Sequence, residues 1–325
     1  KSDTLLDSLC QLVRKEPWQL LRIPFWLARG KARLKVEVGR RAPLDPRRLP
    51  YNTELLRYLQ AQRRDGRSIY LTTGADGALA RRVAAHLGIF DAVFATDSVT
   101  NLTGTRKLRL LADRLRTFDY IGNSRADIPL LARARQAMLA NPTMGLRLSL
   151  GLWHIPIART FLDQRPSART LVKAIRVHQW AKNILLLAPL ALSHQLLAGS
   201  IAKAVAAFFC FSFMASTGYL LLDLLNMESD RRHSARRLRP FAAGDLAVTT
   251  GAALAAAMVL SSAALLRLLP VQFALWLGLY ILAAVFSSLT LKRLPILDIL
   301  LLAGLYMLRL LAGGAATATP ISHTL

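Results

Sequence analysis

The chain is poor in cysteine and in acidic residues, and its amino-terminal half lacks long apolar runs. Only Cys10 and Cys210 occur among 325 residues, which excludes a disulfide framework and is typical of a domain that faces the cytosol. Aspartate and glutamate number 19 against 43 lysines and arginines, so the formal net charge is +24. The basic clusters flank apolar spans and the aromatic-basic stacking motifs of nucleic-acid-binding domains are absent, so we expect no nucleic acid partner. An anionic membrane surface and phosphorylated substrates suit this charge better.

Long apolar runs dominate the chain beyond about residue 184. Most approach the roughly 20 residues that a helix needs to cross a bilayer. The predicted spans are residues 184–199, 203–226, 248–269, 271–291 and 296–316. The first is short and contains Pro189. The sequence therefore predicts an all-α transmembrane bundle in the carboxy-terminal half.

Basic residues mark one side of these spans. Lysines and arginines precede the first span, five arginines lie between the second and third, and residues 292–293 lie between the fourth and fifth. The other links hold almost no basic residues. By the positive-inside rule, we expect a multi-pass protein of the cell (inner) membrane with its amino-terminal domain in the cytoplasm.

Three polar residues stand at the end of the second span. Asp223, Asn226 and Asp230 recur at helical spacing and so share one face. Carboxylates at the end of a membrane helix are costly unless they meet a polar cavity, a partner or a metal. Hard oxygen ligands beside a basic loop suit Mg²⁺ bound to a diphosphate. The alternative is a helix that leaves the bilayer through acidic and then basic interfacial residues.

Residues 222–244 resemble the UbiA superfamily of membrane prenyltransferases. That family has the pattern N-D-x-x-D-x-x-x-D at the end of its second helix, often followed by D-R-x-H and R-P-x-A-A-G. The matching positions are Asp223, Asp230, Arg231, His233, Arg239, Pro240 and residues 242–244. Leu222 and Asn226 stand where the family has Asn and the middle Asp.

The resemblance implies a Mg²⁺ site on a diphosphate. Its implied ligands are Asp223, Asn226 and Asp230, and the implied catalytic residues are Asp223, Asp230 and Lys182. The implied stabilisers of the developing negative charge are Arg237, Arg239 and Lys182.

A second segment resembles the UbiA subgroup that includes polyprenyl-phosphate phosphoribosyltransferases. It is the R-x-x-Q-W-x-K-N run at residues 176–183. Anchoring at the bilayer edge explains each of its residues singly. The resemblance implies that Arg176, Lys182 and Asn183 face a polar cavity and contact substrate phosphate. The last span carries a similar Y-x-L-R-x-x-A-G run, which assigns Tyr306 and Arg309 to the same cavity.

The amino-terminal half alternates strand and helix patterns. Strands are predicted at 68–72, 92–96 and 118–121, and helices at 52–64, 77–87 and from Lys107 onward. Such alternation predicts a parallel sheet with polar clusters at the carboxyl ends of its strands. Ordinary capping residues after strands are the alternative explanation of those clusters.

The order of these clusters resembles the haloacid-dehalogenase (HAD) phosphohydrolase superfamily. The resemblance implies that Thr73 binds a phosphoryl group, that Lys107 offsets charge, and that Asn123 and Asp127 belong to a metal-binding loop. The D-x-D-G-T nucleophile motif of that family is missing, and we infer that it preceded residue 1. Without it this half cannot form an aspartyl-phosphate.

We therefore expect a multidomain chain that is cut at both ends. Residues 1–140 form a HAD-like α/β domain, 141–170 a linker or interfacial segment, and 171–325 a partial UbiA-type bundle. Within the first domain, residues 4–38 form either a helical cap or an amphipathic surface that rests on lipid.

The predicted activity is Mg²⁺-dependent transfer of a prenyl or phosphoribosyl group from a diphosphate donor, with a polyprenyl (phosphate) lipid as the other substrate. Two alternatives remain: a membrane-tethered HAD phosphohydrolase, and a non-catalytic protein that binds or transports polyprenyl lipid.

Overall fold

The described part of the chain is mostly helical, at 69% of its residues, with small parallel sheets. The computed structural model describes residues 3–96, 102–163, 167–193, 197–290 and 295–319. The chain divides into two compact units. The first comprises Lys1–Ser167 and Asp223–Val248, and the second Ala168–Leu222 and Thr249–Leu325.

Eight helices and five strands make up the first unit before residue 167 in the described part of the chain. The helices are α1 (Thr4–Lys15), α2 (Ile23–Ala28), α3 (Lys31–Arg41), α4 (Thr53–Arg64), α5 (Gly77–Leu87), α6 (Gly104–Ala112), α7 (Ile128–Arg133) and α8 (Met144–Trp153). The strands are β1 (Tyr70–Asp76), β2 (Ala92–Thr96), β3 (Tyr120–Gly122), β4 (Ala137–Ala140) and β5 (Ile157–Phe161). Short 3₁₀ helices occupy Pro17–Arg22, Pro46–Arg48 and Arg125–Asp127.

Local capping fixes two of the predicted helices. The Asn52 side chain accepts from the Leu55 N–H at 2.9 Å and begins α4. Asp76 does the same for α5 through Leu79, and Gly88 ends that helix with φ +65°. Asn and Asp favour N-caps, and glycine adopts a positive φ without strain. The predicted helices at 52–64 and 77–87 are thereby confirmed to within one residue.

All strand pairs are parallel, as predicted, but they form two sheets rather than one. Strand β1 pairs with β2, and β4 lies between β3 and β5. The register sets Tyr70 opposite Ala92 and Tyr120 opposite Ala137. Strands β1 and β3 begin two residues later than predicted, and α6 begins three residues before Lys107.

The segment predicted as a linker or interfacial segment, 141–170, contains regular secondary structure. Helix α8 and strand β5 lie within it, and β5 pairs with β4 so that Phe161 stands opposite Ala140. Phe161 is fully buried, whereas the three residues before it are exposed. Since only one end of β5 is buried, its sequence lacks the apolar pattern by which a strand is usually recognised. Residues 164–166 of the predicted linker lie outside the described residues.

The second unit is helical in its described part. Its helices are α9 (Ala168–Ile175), α10 (Ala188–Leu192), α11 (Ala198–Arg231), α12 (Val248–Leu266), α13 (Val271–Thr290) and α14 (Pro295–Thr317), with a 3₁₀ helix at Val177–Leu187. Helix α11 continues into the first unit, to which Asp223 and the residues after it belong.

Within the described ranges, three helical segments are long and apolar enough to cross a membrane: Ala198–Arg231, Val248–Leu266 and Ile299–Thr317. A shorter apolar stretch, Val271–Ser287, corresponds to the fourth predicted span. The predicted span at 184–199 is not one helix. A 3₁₀ helix ends at Leu187 and α10 begins at Ala188, since Pro189 suits the first turn of a new helix but not a helix interior. Residues 194–196 and 291–294 lie outside the described residues.

The core of the second unit forms around Phe211, Phe273 and Tyr280. Helix α14 approaches the 3₁₀ helix at Gly313, where a Cβ atom would lie 2.8 Å from the carbonyl carbon of Leu186. Carbon atoms in contact normally lie about 3.5–4.0 Å apart. The small residues near the end of the last span therefore allow close packing.

We expect Gly313→Ala to destabilise the second unit, because the Leu186 backbone cannot move aside as a flexible side chain could. Overpacking of this kind costs about 1–3 kcal/mol. Gly304→Ala on the same helix is the matched control, since a Cβ there meets nothing within 4 Å. Thermal unfolding of the purified protein in detergent should show a lower Tm for Gly313→Ala and an unchanged or higher Tm for Gly304→Ala. Equal Tm values would contradict this packing.

Candidate functional site

Two carboxylates converge at the end of α11. Asp223 and Asp230 lie seven residues apart, close to two helical turns, so both face the same side. The Nη1 atom of Arg239 donates to Asp223 Oδ1 at 3.1 Å and to Asp230 Oδ2 at 2.8 Å. Both carboxylates are buried, while the Arg239 side chain is 30% exposed. One guanidinium nitrogen therefore joins the two aspartates that the sequence analysis singled out.

A compact loop holds Arg239 in this place. The 3₁₀ helix Arg236–Leu238 leads into it, and the Arg239 carbonyl accepts from the Ala243 N–H at 2.9 Å. Gly244 has φ +75°, a conformation that favours glycine. Phe241 is buried and anchors the loop. Asn226 is half-buried on the helix, and Arg237 is exposed.

Arg231 ties the same helix end to the first helix of the chain. Its Nη2 atom donates to Asp7 Oδ2 on α1 at 2.9 Å, and its Nε atom donates to the Ala242 carbonyl at 3.2 Å. The Arg231 and Asp7 side chains are 2% and 0% exposed. A buried charge of this kind is tolerated only with a well-placed partner. Asp7 carried no signal in the sequence, because its partner lies 224 positions away.

The second unit contains a separate polar network around Arg309. Its Nε atom donates to Asn183 Oδ1 at 3.0 Å and its Nη2 atom to the Tyr280 hydroxyl at 3.1 Å. Asn183 in turn donates to the Ser212 hydroxyl at 2.9 Å. Asn183 and Arg309 are both buried. The structure thus brings two predicted phosphate-binding residues together as hydrogen-bond partners of each other.

The remaining residues predicted for the cavity stand as follows. The Arg309 guanidinium lies 5.3 Å from the Tyr306 ring centre, so these two share a face as predicted. The Arg176 guanidinium lies 4.9 Å from the Tyr219 ring, and Arg176 has φ +54°. Lys182 is exposed. Sequence reasoning missed Ser212 and Tyr280, whose only signal was polarity within an apolar run.

A second candidate site lies in the amino-terminal half. Lys107 Nζ donates to Asp127 Oδ1 at 3.1 Å and to the Tyr120 hydroxyl at 2.9 Å. Tyr120 donates to the same carboxylate oxygen at 3.0 Å. The backbone N–H groups of Asn123 and Ser124 both donate to Asp127 Oδ2 at 3.1 Å. All five groups belong to one buried or half-buried network.

This network lines a cleft of about 210 Å³. Its walls contain all four residues that the HAD resemblance singled out: Thr73, Lys107, Asn123 and Asp127. They come from β1, α6 and the loop after β3. The Thr73 hydroxyl accepts from the Ala75 N–H at 3.1 Å. Tyr120 and Thr103, which also line the cleft, were not predicted.

The charges in the cleft are mutually dependent. Burial raises the pKa of the Asp127 carboxyl, but Lys107 and the Asn123 and Ser124 N–H groups outweigh it, so that pKa lies below its usual value. Burial, and then the Asp127 charge, raises the pKa of Tyr120. At neutral pH the tyrosine is therefore protonated and acts as a donor to an ionised Asp127.

The relatives of this chain match it over different lengths: one over nearly the whole chain, and others over about half of it. No family model matches the chain. Over 321 residues, 96% of the chain, it is 31% identical to the uncharacterized protein y4nM of Sinorhizobium fredii, and it covers 61% of that protein. Over 158 residues it is 37% identical to decaprenyl-phosphate phosphoribosyltransferase of Corynebacterium glutamicum, covering 47% of the chain and 48% of the relative.

The enzyme of the same name from Mycobacterium tuberculosis is 35% identical over 161 residues, or 47% of the chain and 52% of the relative. The carboxy-terminal half is homologous to decaprenyl-phosphate phosphoribosyltransferases. The chain spans about half the length of these relatives. Such homologues and three helices of membrane-spanning length together indicate a membrane protein.

We expect Asp7→Asn to destabilise the protein, because it removes the carboxylate that accepts from Arg231 at 2.9 Å and leaves this buried guanidinium with a long ion pair to Glu228, at 3.7 Å. Breaking a buried ion pair costs about 3–5 kcal/mol. Arg232→Gln is the control, since that side chain is 57% exposed and its ion pair with Glu228 is long, at 3.7 Å. Thermal unfolding in detergent should separate the two variants. A Tm for Asp7→Asn that matches the control would show that the pair contributes nothing.

A second prediction concerns the stability of the Asp127 network at acid pH. Because the pKa of Asp127 is lowered in the folded state, its stabilising contribution is complete above its usual pKa of about 3.9 and is lost as pH falls through the folded value. Protection factors for hydrogen exchange in residues 118–127, corrected for the intrinsic exchange rate at each pH from 7 to 3, should fall in the wild type at the acid end. Asp127→Asn should show faster exchange at pH 7 and a flatter pH profile. An identical pH profile in the two proteins would exclude this origin of acid sensitivity.

Proposed function

We propose that the chain contains the diphosphate-binding part of a UbiA-type membrane transferase that uses polyprenyl phosphate and phosphoribosyl diphosphate. The observation that carries the proposal is the convergence of Asp223 and Asp230 on Arg239. The names of the homologous relatives support phosphoribosyl as the transferred group and polyprenyl phosphate as its acceptor. Prenyl transfer to another acceptor is the runner-up.

The residues at this site fit Mg²⁺. Two carboxylate oxygens lie within 3.1 Å of one cationic nitrogen, so they already converge on a point of positive charge. Asn226 adds a neutral oxygen on the same helix face. Carboxylate and amide oxygens are the donors that Mg²⁺ prefers. Among the described residues no group of three His, Cys, Asp or Glu side chains forms a metal cluster by itself, so substrate oxygens would have to complete the ligand set.

The protein groups have separate roles in this scheme. Asp223, Asn226 and Asp230 would hold the metal ion, which when bound supplies charge neutralisation of the leaving diphosphate. Arg239 is partly exposed and can donate to diphosphate oxygens, and Arg237 lies exposed nearby in sequence. Positive groups that are already in place stabilise charge as it develops during transfer.

Residues of the second unit have proposed roles of their own. We assign Lys182 and Arg176 to the phosphate of the lipid substrate. Asn183 and Arg309 are bonded to each other and to Tyr280 and Ser212. Their proposed role is to hold the helices that surround the isoprenoid chain, with Tyr306 beside them. The amino-terminal side is assigned to the cytoplasm and the protein to the cell membrane.

The test is an assay of Asp223→Asn and Asp230→Asn, with Asp245→Asn as a control acid in the same loop. Because the chain spans about half of its enzyme relatives, turnover of labelled phosphoribosyl diphosphate with decaprenyl phosphate is paired with equilibrium binding of the donor. Each site variant should lose about 100-fold in Mg²⁺-dependent turnover or binding, and the control should retain both. Donor binding that ignores both aspartates and Mg²⁺ would overturn the proposal.

A second candidate function rests on the cleft at Lys107. The residues that line this cleft include the four that the HAD resemblance singled out, which come from separate parts of the sequence. A buried lysine lies there with threonine hydroxyls and backbone N–H groups. These are donors for a phosphoryl group, which supports a HAD-like phosphate site. The printed sequence contains no D-x-D-G-T motif, so phosphate binding is proposed here and hydrolysis is not. Orthophosphate binding that is lost in Lys107→Ala and kept in Asp223→Asn would support it, whereas a non-catalytic lipid carrier would show neither phosphate binding nor turnover.

A further inference from the structure

Residues 17–28 are apolar on two opposite sides. The segment is a 3₁₀ helix, Pro17–Arg22, followed directly by α2. One side packs inward, where Trp26 is 5% exposed and contacts the core around Leu12 and Val38. The opposite side is exposed. We call it the apolar surface, and its members are Trp18 (53% exposed), Leu20 (44%), Leu21 (84%), Phe25 (56%) and Leu27 (48%).

Basic residues surround the apolar surface. Those that are exposed between positions 14 and 33 are Arg14, Lys15, Arg22, Arg29, Lys31 and Arg33. The acidic residue in this stretch is Glu16, which is half-buried and accepts from the Gln19 side chain at 2.8 Å. The surface is therefore strongly cationic at its edge and apolar at its centre.

Two of these arginines lie against the exposed rings. The Arg22 guanidinium is 5.0 Å from the Trp18 ring centre, and that of Arg29 is 4.1 Å from the Phe25 ring centre. Such pairs keep the aliphatic stem on apolar surface while the charged group remains available to an anion. Aromatic rings beside arginines are typical of segments that lie at the level of lipid headgroups.

We propose that the apolar surface inserts into the interfacial region of an anionic lipid leaflet, with Arg14, Lys15, Arg22, Arg29 and Lys31 bound to lipid phosphates. Arg33 forms an ion pair with Glu37 at 3.1 Å. The lipid binding is independent of the transferase and goes beyond it. A cap over the cleft at Lys107 fits less well, because the described cleft walls come from β1, α6, β3 and adjoining loops, outside residues 17–28. Pairing of two copies through this surface would bring like charges together. A negatively charged leaflet satisfies both the apolar centre and the cationic edge.

The test places a fluorophore at Leu21→Cys in the full chain, reconstituted in nanodiscs. Labelling with an NBD maleimide at neutral pH is selective, since Cys210 is buried and burial raises the pKa of the Cys10 thiol to about 11. The unsubstituted protein is the labelling control. Gln60→Cys, exposed on the polar face of α4, is the position control.

In nanodiscs that contain phosphatidylglycerol with brominated acyl chains, we expect blue-shifted emission and at least two-fold quenching at position 21, and neither at position 60. Quenching at position 21 should be weaker in discs whose brominated lipid is phosphatidylcholine instead of phosphatidylglycerol. It should also be weaker at high salt. The double reversal Arg22→Glu/Arg29→Glu should lower it at least two-fold, whereas Arg81→Glu/Arg82→Glu on α5 should not.

Three results would overturn the proposal. Emission at position 21 like that at position 60 would place the surface in water. A blue shift without quenching would show that protein covers the surface instead of lipid. Equal quenching in anionic and neutral discs would show that the basic residues do not select the leaflet.

Discussion

The hydrogen bonds from Arg239 to Asp223 and Asp230 are the constraint on which the end of α11 and the loop after it depend. Two carboxylates on one buried helix face repel each other and lose their hydration, so each must find a cation. One guanidinium nitrogen serves both. This requirement explains the short loop after α11, because Arg239 can reach back only if the chain turns at once. The turn at Gly244 and the burial of Phe241 follow from it.

Asp7 extends the same logic to the far end of the sequence. Arg231 lies beside Asp230 in the chain but points to a different set of partners, the Asp7 carboxylate and the Ala242 carbonyl. It therefore fixes the helix end and the basic loop against α1 at once. Because the pair is buried, it restricts the orientation of the Arg231 side chain as well as stabilising the protein. Asp7 accepts only from a guanidinium held in one position. The diphosphate-binding residues of the proposed transferase thus depend on a residue from the amino-terminal half.

Sequence patterns predicted what local chemistry determines. Caps, helix periodicity and the i, i+7 spacing of Asp223 and Asp230 were readable from neighbours in the chain, and the four cleft residues came together as the strand order implied. Partners distant in sequence were not readable. Nothing local marks Asn183 and Tyr280 as partners of Arg309, or Asp7 as the partner of Arg231. The strand β5 was missed for a related reason, since exposed residues fill most of it.

This geometry gives a physical reason for Asn226 at the position where the UbiA pattern has its middle aspartate. A third carboxylate there would add a negative charge to a helix face where Arg239 already offsets only one of two. With Asn226, the group of two aspartates and one arginine has a single net negative charge. Such a group attracts a divalent cation weakly by itself. In the proposed transferase, diphosphate oxygens would complete the ligand set of the cation and would compete with the carboxylates for Arg239. The side chains that stabilise the protein without substrate would then also be the ones that bind it.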